Sequence, residues 1–214
     1  MRIVCLSDTH GRHKKVKDIP DGDVLVFAGD VTPRGEIGNL GNFNKWVGKF
    51  PHKHKILVAG NHDWCFEREN LLAREMMSNV TYLEDSEIVI DGIKFYGSPW
   101  QPEFMGWAFN LPRGEKLEKV WDRIPDDTNV LVTHCPPYSV LDLVINDRSN
   151  ENGEMVGCQD LANRILSLKE LRLHVFGHIH CAYGETFLNE VHCINASICT
   201  EEYIADNKPI VIDI

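Results

Sequence analysis

Seven side chains able to bind a cation follow directly on apolar runs in this sequence. Asp8 and His10 come after Arg2-Ile-Val-Cys-Leu6, Asp30 after Asp23-Val-Leu-Val-Phe-Ala28, and Asn61 after Ile56-Leu-Val-Ala59. His134 comes after Val130-Leu-Val132, and His178 with His180 after Leu171 to Phe176. A short apolar run closing on glycine or small polar residues reads as a buried strand, and open α/β sheets collect ligands at the C-terminal ends of their strands. Taken singly, each is an ordinary signal: Asp8-Thr-His10 a turn or helix cap, Gly29-Asp30 a turn, His134 a core histidine. Their recurrence after five strands points to one shared site. Carboxylate, amide and imidazole donors without a thiolate suit Mn, Fe, Zn, Ni or Co better than a structural zinc. Seven ligands are too many for one tetrahedral ion. They divide into two sites sharing a carboxylate, the arrangement used for in-line displacement at phosphorus. The i, i+2 pairs Asp8/His10 and His178/His180 are each expected to grip one cation, because alternate residues of an extended strand point the same way.

The elements that must position these groups alternate along the first part of the chain. Strands are predicted over 2–6, 23–28 and 55–59, with helices over 36–49 and 65–78. Gly60 is expected to turn the backbone so that Asn61, His62 and Asp63 arrive together at the sheet edge. After residue 80 strands arrive without helices between them (80–83, 87–90 and 93–96, the last two joined by an Asp91-Gly92 turn), which suggests a second sheet packed on the first. Residues 97–112 form a long loop carrying Trp100, Phe104, Trp107 and Phe109. Loops of that length are more often functional than idle; the plain alternative is a hydrophobic plug over the sheets. A helix over 114–124, a strand over 130–132, an irregular segment over 136–157 with Asn150 to Gly153, a helix over 158–169 and a strand over 171–176 follow. The tail, 182–214, reads as two or three antiparallel strands. No repeat or linker breaks the chain, and residues 1–214 are expected to be a single domain.

Composition narrows the partners. The 32 acidic and 22 basic residues leave a formal net charge of -10, and no basic stripe with interleaved aromatics compensates. Sequence-general nucleic-acid binding is disfavoured. A small anionic substrate remains open where a metal can receive it. Seven scattered cysteines without a C-x-x-C pair, and no signal peptide or membrane span, suggest a cytoplasmic protein with free thiols. Cys65, Cys135 and Cys181 are expected to be buried and inert. Oligomeric state is left open.

Read as ordered blocks, Asp8-Thr-His10, Gly29-Asp30, Gly60-Asn-His-Asp63, Thr133-His134 and Gly177-His-Ile-His180 resemble the calcineurin-like metallophosphoesterases. The loop Gly97-Ser-Pro-Trp-Gln-Pro102, continuing to Phe109-Asn-Leu-Pro-Arg-Gly114, is similar to the metallophosphoesterase-domain-containing branch, which is associated with cyclic-nucleotide phosphodiesterase activity. The resemblance implies a mixed α/β fold in four layers, α/β/β/α, two mixed sheets face to face with helices outside. It implies that two divalent transition metals are bound, manganese being the first choice. Asp8, His10 and His180 would hold one metal, Asn61, His134 and His178 the other, and Asp30 would bridge. His62 would not be a ligand; it would donate a proton or hydrogen bond to the leaving oxygen while a hydroxide shared by the cations attacks phosphorus.

One block departs from the family's protein serine/threonine phosphatases: Pro33 stands where they carry the aspartate that orients the catalytic histidine. Asp63 is the candidate substitute partner for His62, and Arg34 the candidate holder of a phosphate oxygen. Trp100, Gln101 and Trp107 are the expected contacts to a small phosphodiester or nucleotide, since aromatic faces stack on any nucleobase. The leading expectation is a metal-dependent phosphodiesterase. A phosphomonoesterase or protein phosphatase is the alternative, and a non-catalytic scaffold of the same fold, like the retromer subunit, the third.

Overall fold

The computed structural model describes residues 1–144 and 153–214; residues 145–152 of the segment expected to be irregular lie outside the described residues. In chain order the first part runs β1 (Arg2–Leu6), β2 (Val24–Ala28), α1 (Ile37–Val47), β3 (His54–Val58), α2 (Trp64–Arg68), α3 (Asn70–Met76) and β4 (Thr81–Tyr82). Then come β5 (Ser86–Ile90), β6 (Ile93–Ser98), β7 (Gln101–Pro102), β8 (Asn110–Leu111), α4 (Glu115–Trp121), β9 (Val130–Thr133), β10 (Leu143–Val144) and β11 (Glu154–Met155). The chain closes with α5 (Gln159–Ser167), β12 (Leu173–Phe176), β13 (Gly184–Leu188), β14 (Val191–Asn195) and β15 (Ile210–Asp213).

Two mixed sheets carry the architecture. One has the order β15-β1-β2-β3-β4 and the other β13-β14-β12-β9-β6-β5. Within the first, β1 to β4 run parallel and β15 is antiparallel to β1. Within the second, β6, β9, β12 and β14 are parallel, with antiparallel strands at both edges.

Side-chain alternation along the strands builds the layers. Ile3, Cys5, Val24, Val26, Ile56 and Val58 face Phe95, Val130, Val132, Leu173, Val175 and Ile194, forming the core between the sheets. The intervening residues Val4, Leu6, Leu25, Phe27 and Leu57 pack outward against Leu40, Phe43 and Val47 of α1 and Phe66 of α2. On the far side Leu131 and Phe176 pack against Leu117 and Trp121 of α4 and Leu161 and Ile165 of α5. The result is the four-layer α/β/β/α sandwich. At one point the sheets meet: Ser7, just past β1, receives and returns backbone hydrogen bonds with Ala196 and Ile198, just past β14.

Several elements differ from the sequence expectation. The strand over 80–83 is only β4, and it extends the first sheet beside β3; the second sheet starts at β5. The tail splits, β13 pairing with β14 while β15 returns to β1. The helix over 65–78 is broken at Glu69, whose backbone (φ -128°, ψ 42°) is not helical. No helix among the described residues is long and apolar enough to cross a membrane.

His174 sits in β12 with its side chain in the outer core, fully buried. Its Nε2 lies 2.8 Å from Thr133 Oγ1, which in turn donates to the Cys135 carbonyl, also at 2.8 Å, while Nδ1 has no partner. Burial pushes its pKa down from the usual 6.5 to about 3. A base neutral in the fold but protonated when unfolded costs stability as pH falls below its unfolded pKa. The His174 contribution to stability, read as the difference between wild type and His174→Gln in urea titrations, should therefore be constant above pH 6.5 and shift by on the order of 3 kcal/mol toward pH 4. His174→Gln should remove that part of the acid slope and leave the parts due to His10 and His178; an unchanged slope would mean that burial does not hold His174 neutral in the fold.

Candidate metal centre

The C-terminal ends of β1, β2 and β3 in one sheet and of β9 and β12 in the other converge on a single cleft of about 370 Å³. Its lining includes Asp30, Asn61, His62, Trp107, His178, His180 and Tyr203. A neighbouring hollow of about 470 Å³ shares Cys181 and Glu201 with it but holds none of the seven expected ligands.

The chain reaches this geometry by leaving the strands abruptly. φ is +52° at Asp8, +43° at His10, +53° at Asp30 and +72° at His178, all in the left-handed region. Such backbone costs on the order of 1 kcal/mol at a residue with a side chain, and clusters where function requires it. Two glycines make room. A Cβ on Gly60 would collide with the Asp30 carboxylate and backbone nitrogen, and one on Gly177 with Asp8 and Ser7.

Each carboxylate is held by one oxygen and leaves the other bare. Asp8 Oδ2 accepts from His178 N–H (3.0 Å) and Ser197 Oγ (2.8 Å), whereas Oδ1 is buried without a hydrogen-bond partner. Asp30 Oδ1 accepts from His62 N–H at 2.8 Å. Its Oδ2 stands between His134 Nε2 (3.3 Å) and His10 Nε2 (3.7 Å).

The imidazoles are prepared in the same way. His134 Nδ1 donates to the Ala28 carbonyl at 2.8 Å, and His180 Nδ1 donates to the Thr200 carbonyl at 2.9 Å. A proton on Nδ1 leaves Nε2 as a lone pair, the tautomer a metal-binding histidine needs. These lone pairs face other acceptors. His180 Nε2 lies 3.1 Å from His10 Nε2 and 3.3 Å from Asp8 Oδ1; His134 Nε2 lies 3.0 Å from Asn61 Oδ1. Acceptors converging without a donor repel unless a proton or a cation stands among them. The ionisable groups respond to this crowding. Burial disfavours the His134 imidazolium, but the Asp30 carboxylate prevails and lifts its pKa to about 9. Burial instead drives His10 down to about 4 and His178 to about 3. Burial also opposes charge on Asp30, yet His134 holds that carboxyl well below its usual range.

Two donor sets thus fit divalent cations. Asp8, His10 and His180 offer atoms within 4.8 Å of one another, as do Asp8, Asp30 and His134. His178 faces His134 ring to ring at 5.0 Å. The backbone is left-handed at His178 rather than extended, and His180 lies beside Asp8 and His10 while His178 lies beside His134, the division that the family resemblance implies rather than the one expected from i, i+2 spacing. Asp30, His10 and His62 make a third close group, with His62 Nε2 at 4.0 Å from Asp30 Oδ2.

Residues 1–182 match the calcineurin-like phosphoesterase family profile. The chain belongs to that family. Metallophosphoesterase domain-containing protein 1 of Homo sapiens is 40% identical over 236 residues, spanning 100% of this chain and 71% of its own length. Its Mus musculus counterpart aligns with the same figures, 40% identity over 100% of this chain and 71% of its own. The crystal structure of TT1561 of Thermus thermophilus shares the fold, with a TM-score of 0.60 at 15% identity, covering 91% of this chain and 88% of that one. As a calcineurin-like phosphoesterase the chain is a phosphoric ester hydrolase with a metal-binding site.

Other expected site residues are placed differently. Asp63 does not reach His62. It is fully buried, and its oxygens accept from the backbone N–H groups of Val31, Thr32 and Gly60 and from Thr32 Oγ1, tying the β2 loop to the β3 loop. The group that orients His62 is the Pro33 carbonyl, which accepts from Nδ1 at 2.6 Å. Arg34 is exposed on the turn beyond it. Trp100 and Gln101 do not line the cleft: Trp100 Nε1 donates to Asp85, and Gln101 Nε2 to Asn110. Trp107 does line it, stacked on His62 at 4.2 Å. Cys135 and Cys65 are buried, but Cys181 is exposed, because a 3-10 turn over His180–Ala182 replaces the extended backbone assumed for it. Tyr203, not singled out from the sequence, packs edge-on to His10 at 4.8 Å and lies 5.3 Å from His180. Its only signal was an aromatic in an otherwise polar turn.

Gly60→Ala should displace Asp30 and lower metal content, read by elemental analysis after saturation and desalting. Gly38, with open space around it in α1, is the control. Gly38→Ala should keep the metal and gain roughly 0.5–1 kcal/mol in stability. Full metal retention in Gly60→Ala would mean that the Asp30 loop tolerates the added carbon.

Proposed function

We propose that this protein is a dinuclear metal phosphodiesterase acting on small phosphodiesters, with cyclic nucleotides as the first class to try and manganese as the first metal. The observation that carries the reading is Asp30 Oδ2, which lies between the donors of both sets and is faced by His62 Nε2. Asp8, His10 and His180 would hold one cation, Asn61, His134 and His178 the other, with Asp30 common to both. When bound, such a pair lowers the pKa of water and neutralises charge on the phosphoryl oxygens.

The chain's own residues supply the rest. The Pro33 carbonyl pins the Nδ1 proton of His62, so Nε2 faces the cleft as the group that serves the leaving oxygen. His62 N–H on Asp30 Oδ1 couples its position to that of the shared carboxylate. Asp63 fixes both loops from below without touching the reacting atoms. Room for the organic part of a diester supports the reading further. A second cavity of about 410 Å³, lined by Pro102, Phe104, Arg113 and Pro136, shares Phe104, Val144, His178 and Ile179 with the metal cleft.

The test compares bis-p-nitrophenyl phosphate with p-nitrophenyl phosphate on stripped protein with Mn²⁺ restored. Metal-dependent preference for the diester is expected. Preference for the monoester would make the protein a phosphatase, and no bound metal with no turnover would favour the scaffold reading. His62→Ala should retain metal and lose about 10²–10⁴-fold in kcat; unchanged turnover in the metal-replete variant would remove His62 from the mechanism.

A further inference from the structure

The Pro33 hydrogen bond leaves His62 one freedom, since a ring held by one atom can still swing about that bond. Two contacts remove it. Trp107 lies against the ring face, with centroids 4.2 Å apart and planes 21° from parallel. His10 meets the ring edge-on at 4.6 Å and 79°. The indole is itself held in register with His62 by the loop that carries it. Ala108 N–H donates to the Asn61 carbonyl at 3.3 Å, and Phe109 N–H to Glu67 on α2 at 2.8 Å. Trp107 N–H donates to the Phe104 carbonyl, and Asn110 Nδ2 donates to the same oxygen. Met105 and Phe109 adopt left-handed backbone, with φ of +48° and +55°, to bring the loop over the site. The loop is thus anchored on both sides of His62, one anchor at Asn61 and one on the helix that follows.

From this geometry we infer that Trp107 is a positioning residue for His62, holding the imidazole plane so that Nε2 stays aimed at the leaving oxygen. The inference rests on the proposed role of His62 as the group that serves that oxygen. It assigns the indole face to the enzyme's own histidine, where the sequence suggested a platform for a base. A stacked ring of this kind resists tilting without a directional bond, and a displacement of about 1 Å at a catalytic group can cost on the order of 10²-fold in rate.

The experiment reads leaving-group dependence, which a merely structural role would not move. Bis-p-nitrophenyl phosphate expels an oxyanion that needs little protonation, and diphenyl phosphate a more basic one of similar shape. For His62→Ala the kcat loss should be larger on diphenyl phosphate. Trp107→Ala should reproduce that selectivity, with an extra loss of about 10- to 100-fold on diphenyl phosphate, unchanged metal content and little change in KM. Trp107→Phe, which keeps a stacking face, should restore most of it. The double variant should be no worse than His62→Ala alone, as expected of residues acting through one another. A readout independent of turnover is the NMR signal of the His62 ring protons, assigned by its loss in His62→Ala. Ring-current shielding should vanish in Trp107→Ala and persist in part in Trp107→Phe.

If His62→Ala loses both diesters equally, the role proposed for His62 fails and the inference falls with it. If His62→Ala is selective while Trp107→Ala loses both diesters equally, or changes KM alone, the role of His62 stands and Trp107 is a platform or a prop. Losses that add in the double variant would also overturn the inference.

Discussion

The crowding of bare acceptors around Asp30 is the constraint on which the rest of the site depends. Three imidazole nitrogens lie 3.3–4.0 Å from the buried Asp30 Oδ2, and the Asn61 oxygen lies 3.0 Å from one of them, His134 Nε2. Left alone, such a group is unfavourable, and against the opposing effect of burial the Asp30 carboxylate correspondingly raises the His134 pKa. Holding it together requires the rest of the fold to oppose the repulsion. Two sheets buried face to face, with their parallel strands ending at one edge, are rigid enough to do so. Bonds such as His134 Nδ1 to the Ala28 carbonyl set each ring before any ion arrives.

The local strain has the same origin. Four expected metal-site residues take left-handed backbone, and two glycines admit carboxylates where a side chain would stand. Neither feature helps folding, and both concentrate donors. Asp63 shows how the surrounding structure offsets them: a fully buried carboxyl, raised to about 6 by burial and by the charge of Asp30, is satisfied by backbone N–H groups from two loops. It ties the loops that carry Asp30 and His62 without sharing their chemistry.

What could be read from the chain, and what could not, divides along the range of the interactions involved. Asp8, His10, Asp30, Asn61, His134, His178 and His180 were legible because unusual residue types follow apolar strands, and strand ends of parallel sheets gather. A second sheet packed on the first was legible from the change of pattern after residue 80, and the four layers from the family resemblance, although β4 belongs to the first sheet and β15 returns to it. The orienting partner of His62 was not legible. Every residue has a carbonyl, and nothing in the type of Pro33 says where its oxygen points. Tyr203 and Ser197 were equally silent, since each reaches the site only because the tail folds back across the sheet edge.

By itself, then, the sequence determined which chemistry was available: hard and borderline donors at five strand ends, an adjacent histidine, and enough apolar alternation for two packed sheets. Those are local properties, set by residue type and by periods of two and 3.6. The tertiary structure decided that His180 turns toward Asp8 and His178 toward His134, a division that the family resemblance implied but the residue spacing did not. It also decided that a backbone oxygen and an indole face hold His62. Those outcomes depend on left-handed turns and on contacts between segments far apart in the chain, and the pattern of residue types records neither.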